Sequence, residues 1–334
     1  MSEILLEASR GPITENYTRG TIVVIDSSKN VVASLGDPAL ITYMRSAAKP
    51  LQAAAAVENG IMEIFGIDDA ELAVMCGSHI GADYHVQAVQ SILQKIDLYE
   101  SSLALGPVLS MDKTLRDQRL SQNIMPRRIY NNCSGKHACM LSLCRAMGYD
   151  CNDYYLPDHP VQQLIKNTVA AYAQIIPSGI VIGIDGCGVP VFGLPLLHMA
   201  ISYLNLCNQG SMESERLTLA SRRIVNAMIN YPEMIAGTGQ FCTELSKATR
   251  GRIVGKLGSD GVYCCAVTDG GMALALKVED GNGEASPPII IEALKQLGLL
   301  SYEEQQLLTK FAIIDNINCQ EEKIGETRPV FKLI

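Results

Sequence analysis

The sequence predicts an α+β fold, an antiparallel sheet with a helical subdomain, on three observations. Strand-like runs cluster at both ends of the 334 residues, helical patterns fill the middle, and three strand-like segments follow one another between residues 252 and 278 with glycine-bearing turns. A regular strand–helix alternation, the mark of a parallel sheet, is missing. With no internal repeat and no low-complexity linker, residues 1–334 read as a single domain.

The elements follow in order. Thr21–Asp26 (TIVVID) and Val31–Leu35, separated by Ser-Ser-Lys-Asn, predict a β-hairpin. The alanine-rich stretch after Met44 predicts a helix starting at Arg45–Ala47 and ending near Glu58, because Pro50 lacks an N–H and fits only a first turn. Leu72–Met75 predicts a short buried segment running into Cys76-Gly77-Ser78-His79. Apolar periodicity predicts helices over His85–Ile96, Ser134–Met147, His159–Gln174, Leu196–Leu206, Glu213–Asn230, Pro288–Leu297 and Tyr302–Phe311. Strands are predicted over Gly179–Ile184, Arg252–Lys256, Val262–Thr268 and Met272–Val278, with Pro329–Leu333 as an edge strand.

Composition narrows the function. Apolar residues at 48% and charged residues at 19% describe a globular protein. A net charge of -8 argues against a general nucleic-acid binder, which needs a basic surface. No run of about 18 apolar residues predicts a membrane span. The N-terminus, MSEILLEASRG, lacks the basic region of a secretory signal. Eleven cysteines without an export signal predict reduced thiols and a cytoplasmic location. The absence of tryptophan argues against extended stacking platforms for sugars or nucleotides.

Ser46-Ala47-Ala48-Lys49 is a Ser-x-x-Lys motif at the predicted helix start. Positions i and i+3 share a helix face, so hydroxyl and amine can meet. The positive helix terminus and burial both favour a neutral lysine, which accepts a serine proton. The alternative is a surface lysine on a helix. Ser78 sits among small residues in Cys76-Gly77-Ser78-His79-Ile80-Gly81 and reads as a turn serine or as a second catalytic hydroxyl. A Ser78–His79 pair is disfavoured because adjacent residues on an extended backbone point apart. Lys256, in Gly255-Lys256-Leu257-Gly258, reads as an edge-strand lysine or as the last member of a set. Serine β-lactamases and penicillin-binding proteins combine Ser-x-x-Lys, a loop serine and a strand Lys-x-Gly, and all three occur here in that order.

Two further loops carry chemistry. Asn131-Asn132-Cys133-Ser134-Gly135-Lys136-His137 precedes a predicted helix, and Asp185-Gly186-Cys187-Gly188-Val189-Pro190 follows a predicted strand. Thiols on glycine-flanked turns are reactive, metal-binding or simply buried. His137 is a ligand, a helix-start residue or neither.

Together these segments resemble the rhizobial-type L-asparaginases, the asparaginase II domain family, over nearly the whole sequence. The resemblance rests on Arg10-Gly11, Glu15, Arg19-Gly20, Arg45–Pro50, Cys76–His79, Asn131–His137, Asp185–Pro190 and Gly255–Tyr263. It implies a serine β-lactamase/glutaminase-like fold, a homodimer and hydrolysis of L-asparagine to aspartate and ammonia. It implies two serine–lysine tandems, Ser46 with Lys49 and Ser78 with Lys256, and zinc held by Cys133, Lys136 and Cys187. Arg45, Asp185, His137 and Glu15 are the implied substrate-binding residues. Two segments depart from the pattern: Asn16-Tyr17-Thr18 stands where Ser-x-His is expected, and Ser259-Asp260 where Ala-Glu is expected. The rival readings are a related amidase (a glutaminase or a β-lactam or D-peptide hydrolase) and a non-catalytic zinc-binding protein on the same fold.

Overall fold

The computed structural model of the protein describes residues 2–208, 212 and 214–333. In sequence order its strands are β1 (Glu3–Arg10), β2 (Ile13–Asp26), β3 (Val31–Leu35), β4 (Ile41–Tyr43), β5 (Val181–Ile184), β6 (Pro190–Pro195), β7 (Ile253–Gly258), β8 (Val262–Val267), β9 (Met272–Val278), β10 (Ile314–Ile317) and β11 (Lys323–Pro329). The main sheet runs β10-β11-β1-β2-β9-β8-β7, with β3 added to β2, and every pairing in it is antiparallel. A three-stranded sheet, β4-β6-β5, stands beside it. The α+β architecture is therefore as expected.

The predicted hairpin is β2–β3, in register from Ile22↔Leu35 to Ile25↔Val31. β2 is longer than its apolar run suggests. Its first half, mostly exposed polar residues, pairs with β1, a strand the sequence pattern did not reveal. In β8 every residue is buried, as are Ile22–Ile25 of β2, so both faces of the central sheet are covered. Helix Leu196–Cys207 packs on β2, β8 and β9, and helix Ser286–Gln296 packs on β8, β9 and β11.

Three expectations are corrected. Leu72–Met75 belongs to a helix, Asp69–Cys76, opened by an Asp68–Glu71 capping box. Burial of all its residues from Glu71 to Cys76 hides the helical period. The segment Tyr302–Phe311 breaks into helices Tyr302–Leu307 and Thr309–Ala312. The C-terminal strand ends at Pro329 instead of starting there, paired with β1 on one side and β10 on the other. Glu213, the expected start of one helix, lies outside the described residues; that helix runs Glu215–Asn230, with Ser214 accepting from the Leu217 N–H.

Helix Lys49–Glu58 occupies the centre of the helical region. Lys49 through Val57 are all buried, packed by helices Asp69–Cys76, Ser134–Met147, Pro160–Ala173 and Glu215–Asn230. Alanines 53–56 leave room for four neighbours to approach one helix. Its 3-10 start, Arg45–Ala48, rests against β7, which brings the first motif beside the strand that carries Lys256. No helix among the described residues is long and apolar enough to cross a membrane.

Candidate active site

Ser78 is held between two lysines. Lys49 Nζ and Lys256 Nζ each lie 2.9 Å from Ser78 Oγ. Lys49 also donates to the carbonyls of Gly77 (2.8 Å) and Asn132 (3.0 Å), and Lys256 to that of Leu257 (2.8 Å). Both lysines are 1% exposed. Burial pushes Lys256 down to about 8, with the neighbouring Lys49 acting in the same direction. Burial likewise pushes Lys49 below the ordinary lysine value.

Local structure fixes the Ser78 loop. Gly77 follows helix Asp69–Cys76, and the Ser78 N–H donates to Ile235 O at 2.7 Å. A Cβ on Gly77 would come within 2.5 Å of Met234 O, so only glycine permits this approach. His79 is engaged elsewhere, through Ser134 Oγ (2.9 Å) and the Gly81 N–H (3.1 Å), so no Ser78–His79 pair forms.

Ser46 lies in the first turn before helix Lys49–Glu58 and is buried. Its hydroxyl makes no hydrogen bond among the described residues; Lys49 turns to Ser78 and not to Ser46. Ser46, Ser78, Lys256 and Asn132 line one cavity of about 450 Å³. No side chain caps this helix start, and the Ala47 N–H next to Ser46 donates to Met44 O at 3.1 Å. The preceding residue, Arg45, has φ +50°, a left-handed conformation costing about 1–2 kcal/mol in a non-glycine residue. Ion pairs hold it there: Arg45 Nε donates to Asp185 Oδ1 at 3.0 Å, and Arg45 Nη1 pairs with Asp260.

Asp185 joins this site to a second cluster. It sits in the turn between β5 and β6, closed by Asp185 N–H to Val189 O (2.8 Å) and Gly188 N–H to Asp185 O (2.9 Å). Lys136 Nζ lies 2.8 Å from Cys187 Sγ and 3.2 Å from Asp185 Oδ2. Cys133, Asp185 and Cys187 present donor atoms all within 4.8 Å of one another. Helix Ser134–Met147 brings its start here by crossing helix Asp69–Cys76 at Gly135, where a Cβ would meet Val74 O at 2.2 Å.

The charges of this cluster are interdependent. The neighbouring Cys187 thiol, helped by Lys136 and Lys49, holds Cys133 well below the ordinary thiol value against the cost of burial. Cys187 is pushed up in turn by Cys133 and by burial. Burial opposes the Lys136 charge, but Cys133, Cys187 and Asp185 outweigh it and raise its pKa. Burial also opposes ionisation of Asp185, and Lys136 and Arg45 overcome it, placing the carboxyl below its usual range. Two sulfurs and a carboxylate oxygen within 4.8 Å of one another fit the sulfur and oxygen donors that zinc accepts.

None of the four expected substrate residues lines the cavity; Arg45 and Asp185 are paired with each other instead. His137 is fully buried in helix Ser134–Met147, with Nδ1 2.6 Å from the Tyr154 hydroxyl. Glu15 stands on the exposed half of β2, paired with Arg10 at 2.9 Å, and lines a separate groove with Asn16, Tyr17 and Asp315. Other residues at the site escaped sequence reasoning. The Gly77 and Asn132 carbonyls that fix Lys49 have no side-chain signature. Asp260 was noticed only as a departure from a pattern. Cys242, which accepts the Leu257 N–H at 3.2 Å and lines the cavity, resembles any core cysteine.

A family profile described as "L-asparaginase II" matches residues 6–329. No curated protein matches the sequence. Among solved structures the protein is similar to a β-lactamase (Mb2281c) from Mycobacterium bovis, at 17% identity and a TM-score of 0.42, covering 83% of this chain and 94% of that one. It is also similar to a putative β-lactamase from Bacteroides dorei DSM 17855, at 14% identity and a TM-score of 0.40, covering 78% and 84%. A D-alanine carboxypeptidase AmpC from Burkholderia cenocepacia aligns at 12% identity and a TM-score of 0.39, covering 88% and 92%.

Proposed function

The chain belongs to the L-asparaginase II family, and from that premise we propose that this amidohydrolase cleaves the side-chain amide of L-asparagine, giving L-aspartate and ammonia. The observation that carries the reading is the convergence of two buried amines on Ser78, which lines one cavity with Ser46 and Lys256.

In this proposal Ser46 is the nucleophile. Both amines already hold Ser78 Oγ, whereas the Ser46 hydroxyl is unengaged and lines the cavity. Ser46 attacks the amide carbon while its proton passes to the lysine pair, one amine of which is neutral. Ser78, bonded to both amines, returns a proton to the leaving nitrogen, and ammonia departs. Water then cleaves the aspartyl ester and restores the Ser46 hydroxyl. The Ser46 backbone N–H stabilises the oxyanion, a contribution of about 3 kcal/mol per donor.

Zinc is part of the proposal, with Cys133, Lys136 and Cys187 as ligands and Asp185 beside them. When bound there, it supplies a fixed positive charge and open coordination for the α-amino and α-carboxylate ends of the substrate. Arg45 and Asp185 link that cluster to the helix start bearing Ser46, so substrate orientation and attack share one ion-pair network. A cytoplasmic homodimer completes the reading; light scattering on the purified protein tests the dimer.

The deciding experiment measures ammonia released from asparagine and glutamine, and ring opening of a chromogenic β-lactam. Asparagine is turned over with the highest kcat/KM. Preference for glutamine or the lactam would replace this reading by a related amidase. Tight zinc binding without any amide turnover would leave a non-catalytic zinc protein.

A further inference from the structure

We propose that Arg119 is a positioning residue for the amide hydrolysis: it latches a flap, residues 108–127, onto the Ser78 loop and so holds one wall of the Ser46–Ser78 cavity in place. The inference rests on the serine–lysine reading of that cavity and adds to it a residue outside the cavity lining.

The flap is one unit. Val108 and Arg127 exchange backbone hydrogen bonds at its base, at 3.1 and 3.0 Å. Between them lies helix Lys113–Ser121, capped by Asp112 through the Leu115 N–H at 2.9 Å. Met111, Asp112 and Lys113, where that helix starts, line the same cavity as Ser46, Ser78 and Lys256.

A guanidinium, not an apolar stripe, docks this helix. Of its nine residues only Arg119 is buried, at 6% exposure, while the adjacent Leu120 is 56% exposed. A surface helix normally buries a row of apolar side chains against the core. No apolar residue of this helix is buried, so the hydrophobic effect does little to hold it. Arg119 Nη1 donates to Leu109 O within the flap, and Nη2 donates to Gly81 O at the end of Ser78-His79-Ile80-Gly81. Its Cζ lies 3.8 Å from the centroid of the Tyr130 ring. The planar fork joins two carbonyls and stacks on a ring at once, which a lysine ammonium cannot do. Ser110 Oγ, beside Leu109, adds one bond to Ile80 O at 2.5 Å.

Ser78 does not depend on the latch. Its N–H donates to Ile235 O, and His79 is held by Ser134 Oγ and the Gly81 N–H. Loss of the guanidinium therefore frees the flap and leaves the serine–lysine set in place. Substrate is then bound less well and, once bound, reacts at nearly the same rate.

Arg119→Met, which keeps a long side chain and removes every donor, tests this in the full-length protein beside the milder Arg119→Lys. In Arg119→Met, hydrogen exchange read by mass spectrometry speeds up at least tenfold across residues 113–121 and stays at the parent rate in helix Asp69–Cys76. KM for asparagine rises at least tenfold while kcat changes less than threefold. Arg119→Lys, with the charge but not the fork, raises KM by a smaller factor, and Arg116→Ala on the exposed side of the same helix leaves it unchanged. Unaltered flap exchange in both Arg119 variants overturns the latch, whatever the turnover of asparagine. Faster exchange with an unchanged KM overturns the positioning role, as does a fall in kcat larger than the rise in KM. Faster flap exchange in a protein whose parent hydrolyses no amide leaves the latch standing and removes the serine–lysine reading instead.

Discussion

Lys256 Nζ approaches Ser78 Oγ to 2.9 Å although β7 and the loop after helix Asp69–Cys76 are distant in the sequence. Since Lys49 makes the same approach, Ser78 is placed to carry protons between two amines while Ser46 faces the cavity unengaged. On the proposed mechanism the two serines have separable roles. Ser46→Ala abolishes formation of a covalent intermediate, and Ser78→Ala slows turnover at least 100-fold while still permitting acylation. Mass spectrometry of acid-quenched enzyme with asparagine distinguishes them. An acyl adduct on Ser78 in the Ser46→Ala variant would reverse the assignment.

The lowered pKa of Lys256 sets a pH profile. An amine must be neutral to accept the serine proton, and raising the pH through about 8 converts Lys256 to that form. The expected kcat/KM therefore climbs about tenfold per pH unit below this point and levels off above it. Steady-state rates measured from well below to well above this pKa check the limb. A profile flat across that range would exclude a lysine of this pKa as the base.

Zinc binding is testable apart from catalysis. Thiolate ligands bind the metal directly, and residues that orient ligands typically contribute about 10- to 100-fold in affinity. Cys133→Ser and Cys187→Ser are each expected to weaken zinc binding at least roughly 100-fold, and Asp185→Asn about tenfold. Metal content after gel filtration, measured by plasma mass spectrometry, reads this out. Retention of stoichiometric zinc by both cysteine variants would place the metal elsewhere.

What could be read from the sequence divides along physical lines. Ser46 and Lys49 lie one helical turn apart, so spacing alone suggested a shared face. Pro50 marked the helix start because its missing N–H is tolerated only there. The convergence of Lys256 with Ser78 depended on the order of three motifs, since no local pattern reports a tertiary contact. Residue identity carries such signals and backbone position does not, so the carbonyls of Gly77 and Asn132 that anchor Lys49 were illegible. Burial on all sides concealed helix Asp69–Cys76, and solvent on one face concealed β1. Motif membership also said nothing of distance: Glu15 and His137 belong to the right segments, yet an Arg10 ion pair holds one and Tyr154 holds the other, both off the cavity wall.

Lys256 also provides a stability test of the site. The residue is 1% exposed and titrates at about 8 in the fold, against 10.5 ordinarily. Below about pH 8 both folded and unfolded states bind the proton, so the fold bears the full cost of a buried charge, about 3 kcal/mol. Between about pH 8 and 10.5 the folded amine is neutral while the unfolded one is protonated, so stability rises with pH. Lys256→Met removes the charge at similar volume and forfeits hydrogen bonds to Ser78 and Leu257, worth roughly 1–2 kcal/mol. Near neutral pH the variant is therefore expected to unfold about 1–3 °C higher than the parent while losing essentially all turnover. Its advantage shrinks as the pH is raised above the folded pKa. Thermal unfolding followed by circular dichroism on either side of that pKa measures both effects. A variant less stable than the parent near neutral pH would mean that Lys256 contributes more to holding the site together than its burial costs.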